Sequence, residues 1–105
     1  MGDHQSSSRI LKQALERGNL VVAEITAREL GRIDLPDALE LTALVAAKNR
    51  ERARRMAARW LERWLAEARS PAIDEAVLVA VCLAALGGEC HDAALTTLRG
   101  RAGRL

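Results

Sequence analysis

Cys90, His91 and Asp92 stand side by side in the chain. Thiol, imidazole and carboxylate are the groups that bind metals and pass protons. A zinc site needs four ligands, and the other cysteine and histidine are Cys82, inside an apolar run, and the distant His4. A thiol in an apolar helix behaves as a small hydrophobe. Cys90 and His91, as neighbours at a helix start, do not face each other as a nucleophile and its base must. Asp92 reads as the cap of the helix that follows. No metal site, cofactor or catalytic residue is therefore expected. The carboxylates lie singly along the chain, with Glu24 and Glu40 at the margins of apolar stripes. Gly87 and Gly88 follow a helix rather than a strand, which excludes a phosphate loop. The chain is expected not to be an enzyme.

A second set of groups is more concentrated. "RERARRMAARWLERW", residues 50–64, holds six arginines and both tryptophans. At about 100° per residue, Ala53, Met56, Ala57, Trp60, Leu61, Trp64, Leu65 and Ala68 fill one arc of a helix. Arg52, Arg55, Arg59 and Arg63 form a stripe on the other side, so the indoles are expected to point into a core. Glu51, Glu62 and Glu67 lie three or four residues from these arginines. Such pairs contribute roughly 0.2–0.5 kcal/mol each and mark a solvated face. Residues 48–63 still sum to +5, enough for the stripe to be a candidate contact for a protein, a second copy or nucleic-acid phosphates. No recognition-helix motif, zinc spacing or RNA-binding motif accompanies it. A solvated face is the preferred reading, a protein or homo-oligomer contact the next, and nucleic acid the last.

These groups must be positioned by helices. The chain has 105 residues, half of them apolar and 29% charged, with no Phe or Tyr and a net charge of only +2. That suits one domain with its own core. Arginine outnumbers lysine by 14 to 2, a bias expected of a GC-rich bacterial genome and equally of a binding surface chosen for phosphate. Two cysteines make no disulfide framework, the start lacks the regions of a secretory signal, and the apolar run 76–86 is too short to span a bilayer. A cytoplasmic protein without membrane association is expected. "MGDHQS" matches the N-myristoylation pattern at Gly2 and Ser6, a short match of the kind that recurs by accident.

Residues 1–7 read as a flexible leader, 8–99 as a single helical domain and 100–105 as a frayed tail. Within the domain, helices are expected at about Ser8 to Arg17, after the Asn19 cap from Leu20 to Leu30, after the Asp34 cap to Lys48, and after the Asn49 cap to near Arg69. A fifth opens at "SPAIDEA" and ends at Leu86, and a sixth covers about Asp92 to Arg99. Gly18-Asn19, Lys48-Asn49 and Gly87-Gly88 fall inside helical hairpins, whereas Pro36 and Pro71 fall at the joins between them. "LPDALELTALVAA" aligns with "IDEAVLVAVCLAA" 38 positions later, so the spacing resembles a helical repeat. The expected architecture is all-α, with five or six antiparallel helices in a compact hairpin array. The fifth helix is expected at its centre, contacted by the third and fourth through Leu39, Leu41, Leu44, Trp60 and Trp64.

"GNLVVAEITARELGRIDLP", residues 18–36, resembles the second half of a tetratricopeptide repeat. Gly18 stands at its turn, Ala23 and Ala27 at its small positions, and Pro36 where the next repeat begins. The chain is also similar to small uncharacterised helical proteins of high-GC bacteria, a likeness that implies no function. The repeat resemblance implies an adaptor or scaffold that binds a protein partner or itself. The alternative is a nucleic-acid-binding accessory protein using Arg52, Arg55, Arg59 and Arg63.

Overall fold

Three helices begin where an asparagine or aspartate side chain can take up a free backbone N–H. Asn19 Oδ1 accepts from the Val22 N–H at 3.3 Å, Asp34 Oδ1 from Asp37 at 2.9 Å and Asn49 Oδ1 from Arg52 at 3.1 Å. Each such cap stabilises a helix by about 1 kcal/mol. The computed structural model describes residues 3–103. They form six helices and no strand: α1 (Asp3–Arg17), α2 (Leu20–Leu30), α3 (Leu35–Lys48), α4 (Arg50–Glu67), α5 (Ile73–Ala85) and α6 (His91–Ala102). Among the described residues the protein is thus all-α, in a globule with a radius of gyration of 13.5 Å.

The ends differ from the sequence expectation. Helix α1 starts at Asp3, so the residues read as a leader are helical from that point. No glycine or proline interrupts residues 3–17, which leaves nothing to stop the helix extending backwards. Helix α6 runs through Gly100 to Ala102, and Ala102 is buried with Leu98, one turn earlier. That shared inward face holds the helix past the expected fraying point. Gly2, the side chain of His4, Arg104 and Leu105 lie outside what is described.

Two helix starts lack a side-chain cap. Ala72 holds the cap position of α5 without a side-chain bond. Arg69 and Ser70 take φ values of 53° and 60° to reverse the chain into α5. Cys90, rather than Asp92, occupies the cap position of α6, again without a side-chain bond. The imidazole works one turn back, where His91 Nδ1 accepts the Gly87 N–H at 2.8 Å.

The largest correction concerns the centre. Helix α3, not α5, is the hub: it packs against α1, α2, α4 and α6, while α5 packs chiefly on α4 and α6. Seven α3 residues are buried, from Leu35 to Ala46. Its small side chains (Ala43 and Ala46) let neighbours close in from several sides, and the buried Thr42 hydroxyl donates to the Ala38 carbonyl at 2.8 Å. Leu39, Trp60 and Trp64 share the main core with Val79 and Leu83 of α5. Leu41 faces a second cluster with Leu11, Ala14 and Ala23, and Leu44 is only half-buried. The connection from α5 to α6 is equally constrained. Gly87 has φ +85°, and a Cβ there would lie 2.5 Å from the Ala46 carbonyl oxygen.

Candidate functional site

Both indoles are inside, each 3% exposed. Trp60 Nε1 donates to the Leu35 carbonyl at 2.9 Å, which ties late α4 to the start of α3. The Trp64 N–H is buried, with no hydrogen-bond partner among the described residues. With α4 clamped in this way, its arginines fall on the outer side, but they do not form one uniform face.

Arg52 is ion-paired with Glu24 of α2. Arg63 donates to Glu67 at 2.8 Å and to the Ile33 carbonyl at 2.5 Å, which pins α4 to the loop between α2 and α3. Half of the predicted stripe is therefore structural. Arg55 and Arg59 are exposed, form no ion pair among the described residues, and rim a groove of about 650 Å³ between α2 and α4. Ile33, Leu41 and Met56 line its apolar part, and Arg28 joins the basic rim. Of the four sequence candidates, only these two remain free to meet an external anion.

Elsewhere, most carboxylates that approach a cation meet it across helices. Arg99 donates to both oxygens of Glu40 at 2.6 and 2.7 Å, and Arg101 pairs with Glu75 at 3.2 Å. Lys12 reaches Asp37 at 3.1 Å. The Asp37 hydrogen bond raises the Lys12 pKa. Burial, reinforced by the nearby Asp34 carboxylate, raises that of Asp37 itself against the opposing pull of Lys12. These distances describe cross-braces, and two of them, Lys12–Asp37 and Arg99–Glu40, border one cleft of about 400 Å³ together with Glu16. Cys82 is buried and Cys90 is exposed. No group of three His, Cys, Asp or Glu side chains among the described residues is placed to hold a metal ion.

The feature that sequence reasoning missed lies on α5. Its outer side carries Ile73, Val77 and Val81, which are 84%, 54% and 60% exposed. At about 100° per residue these three and Ala80 and Ala84 share one face, with Asp74 at its edge. The face continues into a groove of about 430 Å³ against α4, where Ala57, Ala58, Leu61 and Leu83 make an apolar floor. Leu65 extends that surface along α4 and is itself exposed. Arg50 and Arg54 line the groove, and Arg50 Nη2 lies 3.4 Å from the Ala84 carbonyl oxygen. The start of α4 therefore stands beside the end of α5.

Single exposed aliphatic residues are ordinary, but a contiguous set on one helix face is not. Helix α2 makes the contrast. Val21, Val22 and Ile25 are exposed there too, yet helical spacing places Glu29 among them. The sequence did hold a signal for α5: its outward positions bear no charge except Asp74. That absence looks the same in a helix buried on every side.

No helix among the described residues is long and apolar enough to cross a membrane. No protein-family model, curated protein or solved structure matches the chain.

Proposed function

We propose that this protein is a non-enzymatic, cytoplasmic adaptor or scaffold whose working surface is the outer face of α5 with the adjoining edge of α4. The observation that carries this reading is the run of solvent-facing Ile73, Val77 and Val81 beside the apolar groove. Leaving several aliphatic side chains in water forfeits roughly 1.5–3 kcal/mol for each that a partner could bury completely. A protein surface that covers them recovers part of that free energy on association. Hairpin-by-hairpin organisation, and the likeness of residues 18–36 to half a tetratricopeptide repeat, support a binding role by analogy of fold alone.

Photo-crosslinking in cells of the source organism tests the proposal. A photoreactive residue at Val77 or Val81 is expected to capture a discrete protein band, and one at Arg59 is not. If the α5 positions react only with water, or no more than Arg59 does, the proposal fails.

Arg28, Arg55 and Arg59 around the second groove favour one other reading, a nucleic-acid-binding accessory protein. Arg52 and Arg63 are already engaged inside the protein, which weakens it. Low-salt fluorescence titration with single-stranded and duplex oligonucleotides decides the matter. Binding that is lost in Arg55→Glu/Arg59→Glu and falls steeply with salt supports it, and no binding at low salt removes it.

A further inference from the structure

The surface on α5 has a direction, because its two ends carry opposite charge. Arg50 stands at the end beside Ala84, and Arg54, one turn further along α4, lines the same groove. Asp74 stands in the first turn of α5, ten residues before Ala84 and so about 15 Å away along the axis. Asp74 and Arg54 are both exposed and form no ion pair among the described residues. The neighbouring Glu75 differs: Arg101 of α6 engages it at 3.2 Å.

We infer that the occupant of this face is a second copy of the chain, docked antiparallel about a two-fold axis that crosses the middle of α5. The inference rests on the binding role proposed for this face and adds the identity of the partner. A two-fold axis reverses the direction of the surface, so the acidic end of each copy meets the basic end of the other. Asp74 then approaches Arg50 and Arg54 twice, once on each side of the axis. Val77 and Val81, one turn apart, straddle the axis, so Val77 of each copy packs against Val81 of the other. Ala80 and Ala84 carry only a methyl group and allow the two α5 helices to approach closely. An isologous contact requires this self-complementarity of a single patch. An acidic helix from an unrelated protein would satisfy the arginines but would run its carboxylates past Asp74.

The size of the patch sets the expected strength. Thirteen residues of α5 span about 20 Å, and the edge of α4 widens the footprint by about one helix diameter. This is the small end of specific interfaces, consistent with a dissociation constant on the order of 10 µM.

Sedimentation equilibrium on the full chain tests the inference, with circular dichroism to confirm that each variant is folded. The wild type is expected to dimerise in that range, and Val77→Asp to weaken the dimer by at least about tenfold. Arg54→Glu and Asp74→Arg separately place like charges at both contacts, so each is expected to weaken self-association by roughly tenfold or more. Mixed in equal amounts, the two variants place Glu against Arg on one side of the axis and Arg against Asp on the other. A heterodimer should form at near wild-type affinity, and native mass spectrometry separates it by mass from either homodimer. A wild type that stays monomeric at about 500 µM overturns the inference. So does a dimer indifferent to Val77→Asp or to the charge exchanges, or a mixture that associates no better than its components. A monomer that still crosslinks from Val77 to a different protein in cells sinks the second copy and leaves the binding role standing. A monomer without crosslinks sinks both.

Discussion

Helices α4 and α5 pack together and contribute to the same core, yet their outer faces have opposite character. The outer face of α4 is dominated by arginine and glutamate, and two of its arginines brace neighbouring elements. The outer face of α5 is valine, isoleucine and alanine. The charged face that draws the eye in the sequence is partly spent on holding the fold together. The bland one is left with unburied apolar surface. High charge density is thus a poor guide to which surface awaits a partner, because long guanidinium side chains readily find carboxylates and carbonyls within their own chain.

Four measurements would break or sharpen this contrast. The largest effect is expected inside α4. Trp60→Ala removes a buried ring and leaves the Leu35 carbonyl without its donor, so chemical denaturation should show a loss of about 3–5 kcal/mol. A loss under about 1 kcal/mol would mean that α4 is not anchored as described. Next comes the end of α5. Gly87→Ala must hold a left-handed φ and drive its Cβ against the Ala46 carbonyl. A loss of about 2 kcal/mol or more is expected. The same change at Gly31, also at positive φ but with open space around it, should cost less.

The outer face of α5 should respond in the reverse way. Val77→Gln and Val81→Gln, measured at protein concentrations where the chain is monomeric, are expected to change stability by no more than about 0.5 kcal/mol. A large loss from either would mean that the residue belongs to the core. The smallest effect is in the pH dependence of the bracing away from this pair of helices. Burial raises the folded pKa of Asp37 above its ordinary 3.8. The stability it contributes is therefore fully present below that value and is lost as pH rises through the higher folded one. The melting temperature of Asp37→Asn relative to wild type should accordingly shift in favour of the variant from about pH 3 to pH 6. An opposite trend would show that Lys12 outweighs burial at this site.

The legibility of the sequence follows the same division. The caps at Asn19, Asp34 and Asn49 could be read directly, because a cap is a contact within four residues. The inward tryptophans were equally plain, since arginine and glutamate occupied the other side of α4 and left one solution. The arginine stripe was only half legible. Spacing placed Arg52 and Arg63 on the outer side, but nothing local revealed that Glu24 and the Ile33 carbonyl would meet them there. Helix α5 misled for a physical reason. Apolar residues around most of its circumference describe a fully buried helix as well as one buried on a single side with a sticky outer face.

Sequence alone determined the helical class, the breaks between helices and the burial of Trp60 and Trp64, because propensity, capping and amphipathic period act over a few residues. Only the tertiary structure decided that α3 takes the centre, that Arg55 and Arg59 stay free while Arg52 and Arg63 do not, and that the apolar side of α5 faces outward. Those outcomes depend on which helix surfaces compete for the same core, and a periodic pattern does not encode its own neighbours.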